Sequence, residues 1–179
     1  MDRRVALLRG INVGKAKRIA MADLRALFAE LGYADVRTLL NSGNVVFTVT
    51  SGGDADHASR IEGAILERLG VASRVTVLLG EEVAEALREN PLAAVADNPS
   101  RLLILVLQGP EVVARLRPLL DESWEPEALG LGRRMAYLWC GGGILESRLT
   151  EAVNRVVKDA GTARNLATMT KLLALVEGS

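Results

Sequence analysis

With 179 residues, 49% hydrophobic and 25% charged, the chain has a globular composition, which excludes a disordered or coiled-coil protein. Its 22 basic and 22 acidic residues cancel, removing the electrostatic excess of a dedicated nucleic-acid binder or a membrane-surface protein. One cysteine, Cys140, excludes an internal disulfide and one histidine, His57, excludes a His-rich metal site, so a reducing cytoplasm is the expected setting.

No apolar stretch approaches the roughly 18 residues of a membrane span, and the start of the chain lacks the apolar core and cleavage site of a signal peptide. Val5-Ala6-Leu7-Leu8, bounded by arginines and followed by Gly10, reads as a buried central strand. The polar stretch from Arg9 to Arg18 follows. Met21, Leu24, Leu27, Phe28 and Leu31 then recur at helical spacing up to Gly32. Val36 to Leu40 and Val45 to Val49 flank Asn41-Ser42-Gly43-Asn44 as a hairpin, because its turn is built of residues that tolerate positive φ. Ser51-Gly52-Gly53-Asp54 is a loop, Ile61 to Leu69 a helix closed by Gly70, and Val75 to Leu79 a fourth strand.

A helix over 81–89, stopped by Asn90-Pro91, bridges to the second half. There, Leu102–Leu107 reads as a strand and Glu111–Leu120 as a helix. Trp124–Leu129 and Arg134–Trp139 form a hairpin around Gly130-Leu131-Gly132. Leu145, Leu149, Val153, Val156 and Val157 mark a helix, Gly161-Thr162-Ala163-Arg164-Asn165 a linker, and Leu166–Leu175 a last helix in place of a fourth strand. The expected fold is α+β, with two ferredoxin-like (split βαβ) subdomains packed together: residues 1–80, a linking helix and loop at 81–100, and residues 101–179 with the C-terminal helix.

The first half spends roughly ten more residues than the second between its first strand and hairpin turn, and surplus polar loop on a fixed scaffold is where function concentrates. In a split βαβ unit the first and second strands run the same way with the third between them. The stretch after the first strand should therefore lie on one rim with the hairpin turn and the start of the first helix, whose free N–H groups favour anions. The same reasoning places Thr162, Arg164 and Asn165 on the corresponding rim of the second half. If those rims face each other, one cleft collects Arg9, Asn12, Lys15, Lys17, Arg18, Ser42, Asn44, Thr162, Arg164 and Asn165.

Three ordered segments carry a family resemblance: Arg9-Gly10-Ile11-Asn12-Val13-Gly14, Ser42-Gly43-Asn44-Val45-Val46-Phe47, and Thr162-Ala163-Arg164-Asn165 followed by Lys171-Leu172. Over essentially its whole length the chain resembles the DUF1697 family. That resemblance implies paired ferredoxin-like subdomains in a bacterial protein of uncharacterised function, and leaves the activity open. The chain departs from the family pattern at Lys15 (a second glycine), Ala20 (a proline), Asn41 (a glutamine) and Leu166 (a tryptophan).

Each segment also has a plainer reading. Only Ile11, Asn12 and Val13 separate Gly10 from Gly14, and Ala16 follows Lys15, which excludes a true P-loop and leaves looser anion binding or a solvated charge run. Ser42-Gly43-Asn44 suits a tight turn on its own account. Thr162 or Asn165 can cap the last helix. Cys140 reads as a free thiol, His57 as a surface residue, and Trp124 and Trp139 as core. No residue pattern assigns a catalytic group, a metal or a cofactor.

The reading favoured is a small anionic ligand, phosphate-containing or a nucleotide, held between the halves by arginine and lysine charges and oriented by asparagine amides. Nucleic acid and membrane are not expected partners. The alternative is an RNA-binding or protein-interaction module using a sheet face or edge. The RNA mode requires aromatic platforms on the central strands, for which Phe47 is the sole candidate in the first half.

Overall fold

Asp2–Leu8 forms β1, whose alternate residues point to opposite faces of a sheet. The computed structural model describes residues 2–52 and 55–178, so Gly53 and Asp54 of the loop expected there lie outside the described residues. The chain divides into two compact units, Met1–Val83 with Leu172–Ser179, and Ala84–Lys171.

In the first unit β1 is followed by α1 (Met21–Glu30), β2 (Ala34–Leu39), β3 (Asn44–Val49), α2 (His57–Leu69), β4 (Val75–Leu79) and the start of α3 (Gly80–Arg88). The strand order is β2-β3-β1-β4, every pairing antiparallel. Because β3 is antiparallel to both β1 and β2, those two run the same way. The register sets Val5 opposite Val46 and Leu7 opposite Asn44.

Ala6, Leu8, Val45 and Phe47 meet Leu24, Leu27 and Phe28 of α1 and Ile61 and Ile65 of α2 in one core. Phe47 packs edge-on to Phe28 with centroids 5.3 Å apart and lies 4.6 Å from the ring of Tyr33. Val5, Leu7 and Val46, on the opposite sheet face, are buried as well. Arg3 donates from Nη1 to the carbonyl of Val176 (2.8 Å), placing a cation at the C-terminal end of α6 (Leu166–Glu177), where the helix dipole favours it.

His57 departs from expectation. It is 3% exposed and not at the surface, because its ring packs against Tyr33 (5.5 Å) and a hydrogen bond of 2.8 Å joins its Nδ1 to the Tyr33 hydroxyl.

The second unit holds the end of α3, β5 (Leu102–Leu107), α4 (Pro110–Leu116), β6 (Ala128–Leu131), β7 (Met135–Trp139), α5 (Arg148–Val157), β8 (Gly161–Asn165) and the start of α6. Its strand order, β6-β7-β5-β8, is again antiparallel throughout. The segment expected to be a linker is thus an edge strand, Gly161 pairing with Leu107 and Asn165 with Leu103.

Three boundaries also shift. The α-helix of α4 gives way to a 3-10 turn over Arg117–Asp121, since Pro118 brings no N–H to the α pattern. Pro126 likewise has no N–H to give a ladder, and β6 begins only at Ala128. Ser147 caps α5 by accepting from the Thr150 N–H (3.0 Å), which leaves Leu145 outside the helix and fully exposed. Trp124 and Trp139 are buried, as is the Cys140 thiol.

Candidate functional site

The loop from Arg9 to Ala20 is folded back on itself. At its base the Leu8 N–H donates to the Gly43 carbonyl and the Arg9 N–H to that of Arg74, both at 2.9 Å, while the Ser73 hydroxyl donates to the Arg9 carbonyl at 2.9 Å. Ile11 (2% exposed) and Ile19 (5%) anchor the two ends in the core. Between them the Asn12 N–H donates to the Lys17 carbonyl (3.0 Å) and Val13 bridges Ala16, closing a small turn with Gly14 at φ 63°.

One side chain ties this turn to the hairpin. The Asn12 amide donates to the carbonyls of Ile19 (2.9 Å) and Asn41 (2.7 Å), and its Oδ1 accepts from the Ile19 N–H (2.8 Å). Asn12 itself sits at φ 54°, a left-handed conformation that asparagine tolerates better than most residues. Gly43, at φ 89°, makes the close approach possible: a Cβ there would lie 2.7 Å from Leu8 Cβ and 2.9 Å from Ile11 Cδ1. Asn44 is fully buried and donates to the Leu39 carbonyl (2.8 Å) and the Ser42 hydroxyl (3.0 Å), holding the other side of the bend.

What this framework presents to solvent is cationic. Lys15, Lys17 and Arg18 are exposed, and Arg18 reaches back from Nη1 to the Gly14 carbonyl (3.1 Å). Beside Arg18 the first turn of α1 begins at Ala20, whose side chain cannot cap its N–H groups. A cavity of about 290 Å³ opens here, lined by Asn12, Arg18, Ile19, Ala20, Met21 and Asn41. A guanidinium, a helix start without a side-chain cap and the Asn12-clipped loop thus border one cavity. Among the described residues no three His, Cys, Asp or Glu side chains are grouped to hold a metal ion, and no helix is long and apolar enough to cross a membrane.

Of the residues singled out in the sequence, Asn12 and Arg18 line this cavity, whereas Arg9, Lys15, Lys17, Ser42 and Asn44 lie on the same loop and hairpin turn without lining it. Asn41, Ile19, Ala20 and Met21 also line the cavity, and the sequence does not point to them, because neither a backbone carbonyl acceptor nor an apolar wall leaves a motif. Thr162, Arg164 and Asn165 belong to the second unit, on β8. Thr162 is buried opposite Val106, while Arg164 is half-buried, donates to the Ala163 carbonyl (2.9 Å), and has its pKa pushed down to about 10 by burial. Asn165 accepts from the Thr168 N–H (2.8 Å) and so caps α6. Asn165→Ala should cost about 1 kcal/mol of stability, measured by urea denaturation; an unchanged midpoint would remove the capping role.

The model of the protein family of unknown function DUF1697 matches residues 1–137, the span that contains the clipped loop and the hairpin turn. The chain belongs to the DUF1697 family. Among solved structures this DUF1697 chain is similar to the conserved bacterial protein SP0830 from Streptococcus pneumoniae, with a TM-score of 0.80, 23% sequence identity and 98% of each chain covered. At that identity the likeness speaks for the fold alone. No curated protein matches the chain.

Proposed function

We propose that this DUF1697 protein binds a small anionic ligand, of phosphate or nucleotide chemistry, at the cationic rim of its first unit. We further read each unit as a ferredoxin-like sandwich, a reading supported by the shared antiparallel strand order of the two sheets. The observation that carries the ligand reading is the Asn12 clip, which holds a loop bearing Lys15, Lys17 and Arg18 against the hairpin turn and beside an uncapped helix start. Charge carried on a hydrogen-bonded frame should lose less entropy when an anion docks than charge on an unclipped loop. In this reading Arg18, Lys15 and Lys17 contact the ligand, Arg9 adds charge at the base, and Asn12, Ser42 and Asn44 hold the wall. Thr162, Arg164 and Asn165 are proposed as a second set of ligand contacts on β8. The single buried thiol supports a cytoplasmic protein.

An RNA platform on the sheet has less support. Phe47, the aromatic residue that would stack a base, is fully buried against Phe28 and Tyr33, and Val5, Leu7 and Val46 on the other face are buried too.

Thermal-shift measurements with pyrophosphate, nucleoside phosphates, sugar phosphates and dicarboxylates test the reading. A binder at about 100 times its Kd should add about 2.7 kcal/mol, and Arg18→Ala should weaken binding about tenfold or more through loss of a charged hydrogen bond. Arg164→Ala, assayed separately, reports whether β8 takes part. Flat melting across the whole panel would overturn the reading.

A further inference from the structure

His57 opens α2, is 3% exposed, and packs its ring against Tyr33, which in turn packs on Phe28 and Phe47. Its Nδ1 is satisfied by the Tyr33 hydroxyl at 2.8 Å, whereas its Nε2 is buried and, among the described residues, has no hydrogen-bond partner. Leaving one ring nitrogen unsatisfied is tolerable for a neutral imidazole and costly for an imidazolium, whose two N–H groups and charge all need solvation.

The charged groups around the ring do not supply that solvation. From β1, Arg4 repels a second cation, and the nearby Asp2 carboxylate is engaged by Arg4 through bonds of 2.7 and 3.1 Å. From α2, Arg60 lies over the Tyr33 ring (5.5 Å) and donates to the Leu31 carbonyl (2.7 Å). The cap residue Asp56 accepts from the Ser59 N–H (3.0 Å) and hydroxyl (2.7 Å). The positive end of the α2 dipole acts against imidazolium as well. Burial first, then Arg4 and Arg60, hold the pKa of His57 below its ordinary 6.5, outweighing the Asp2 and Asp56 carboxylates, which pull it the other way.

We propose that His57 is a proton-operated latch: as the neutral imidazole it seats the first turn of α2 on Tyr33, and protonation releases that turn. The direction follows from linkage. An opened turn binds a proton at the ordinary pKa of 6.5, whereas the closed turn binds one only at lower pH. Closure is therefore fully favoured above 6.5, weakens as pH falls below it, and stops weakening beneath the closed-state value.

Because the chain contains a single histidine, its imidazole resonance can be followed in the intact protein without assignment. The expected midpoint lies below 6.5, and hydrogen-exchange protection of the amides at the start of α2 should fall by up to about tenfold per pH unit between 6.5 and that midpoint, and level off beneath it. His57→Gln, which cannot titrate, should abolish that fall. A wild-type midpoint at or above 6.5 would overturn the latch even if the variant failed to fold, and so would an equal loss of protection in His57→Gln.

Discussion

Replacing Gly43 by alanine should destabilise the protein by about 3 kcal/mol, the sum of left-handed strain and overpacking. The added methyl would sit at φ 89° and collide with Leu8 Cβ at 2.7 Å and Ile11 Cδ1 at 2.9 Å, two core atoms that cannot swing into solvent. Gly10→Ala is the control: its φ of 69° imposes comparable strain with no atom within 4 Å, and about 1 kcal/mol is expected. Urea denaturation followed by circular dichroism separates the two. Equal losses would mean that the loop does not press on the hairpin turn.

Asn12→Ala is the second large effect, about 3 kcal/mol. It removes three hydrogen bonds at once, leaves the Ile19 N–H and the Asn41 carbonyl short of a partner, and puts alanine at φ 54°. Asn12→Asp keeps the acceptor toward Ile19 while losing both donated bonds, so its stability should fall between the two. In Asn12→Ala the cations remain but their frame does not, and anion-induced stabilisation should shrink even though no charge has been deleted. Full retention of that stabilisation, alongside the loss of stability, would show that the clip serves the fold alone.

Much of the first unit was legible because its signals are local. The apolar run of β1, the helical spacing of Leu24, Leu27 and Phe28, and Gly43 at φ 89° in the hairpin turn each report their own conformation, whereas Leu40 at φ 57° does not. The meeting of loop and turn could be reasoned from strand direction. What the asparagines do there could not, because whether an amide faces a ligand or the chain's own carbonyls depends on a turn that no pattern announces.

The second unit hid more. β8 carries no alternation of apolar residues, and only Gly161 and Thr162 are buried, so its strand character comes from the β5 edge it joins. His57 sits in a polar local sequence, yet its burial comes from Tyr33, a partner outside its own helix. The shortened α4 was readable in principle from Pro118.

Amide chemical-shift mapping during a pyrophosphate titration tests the proposed anion-binding rim on the clipped loop most directly. Saturable shifts concentrated on residues 14–23 and 40–43, reduced in Arg18→Ala, are the expected result. Saturable shifts centred elsewhere in the chain, or none at any concentration, would contradict it.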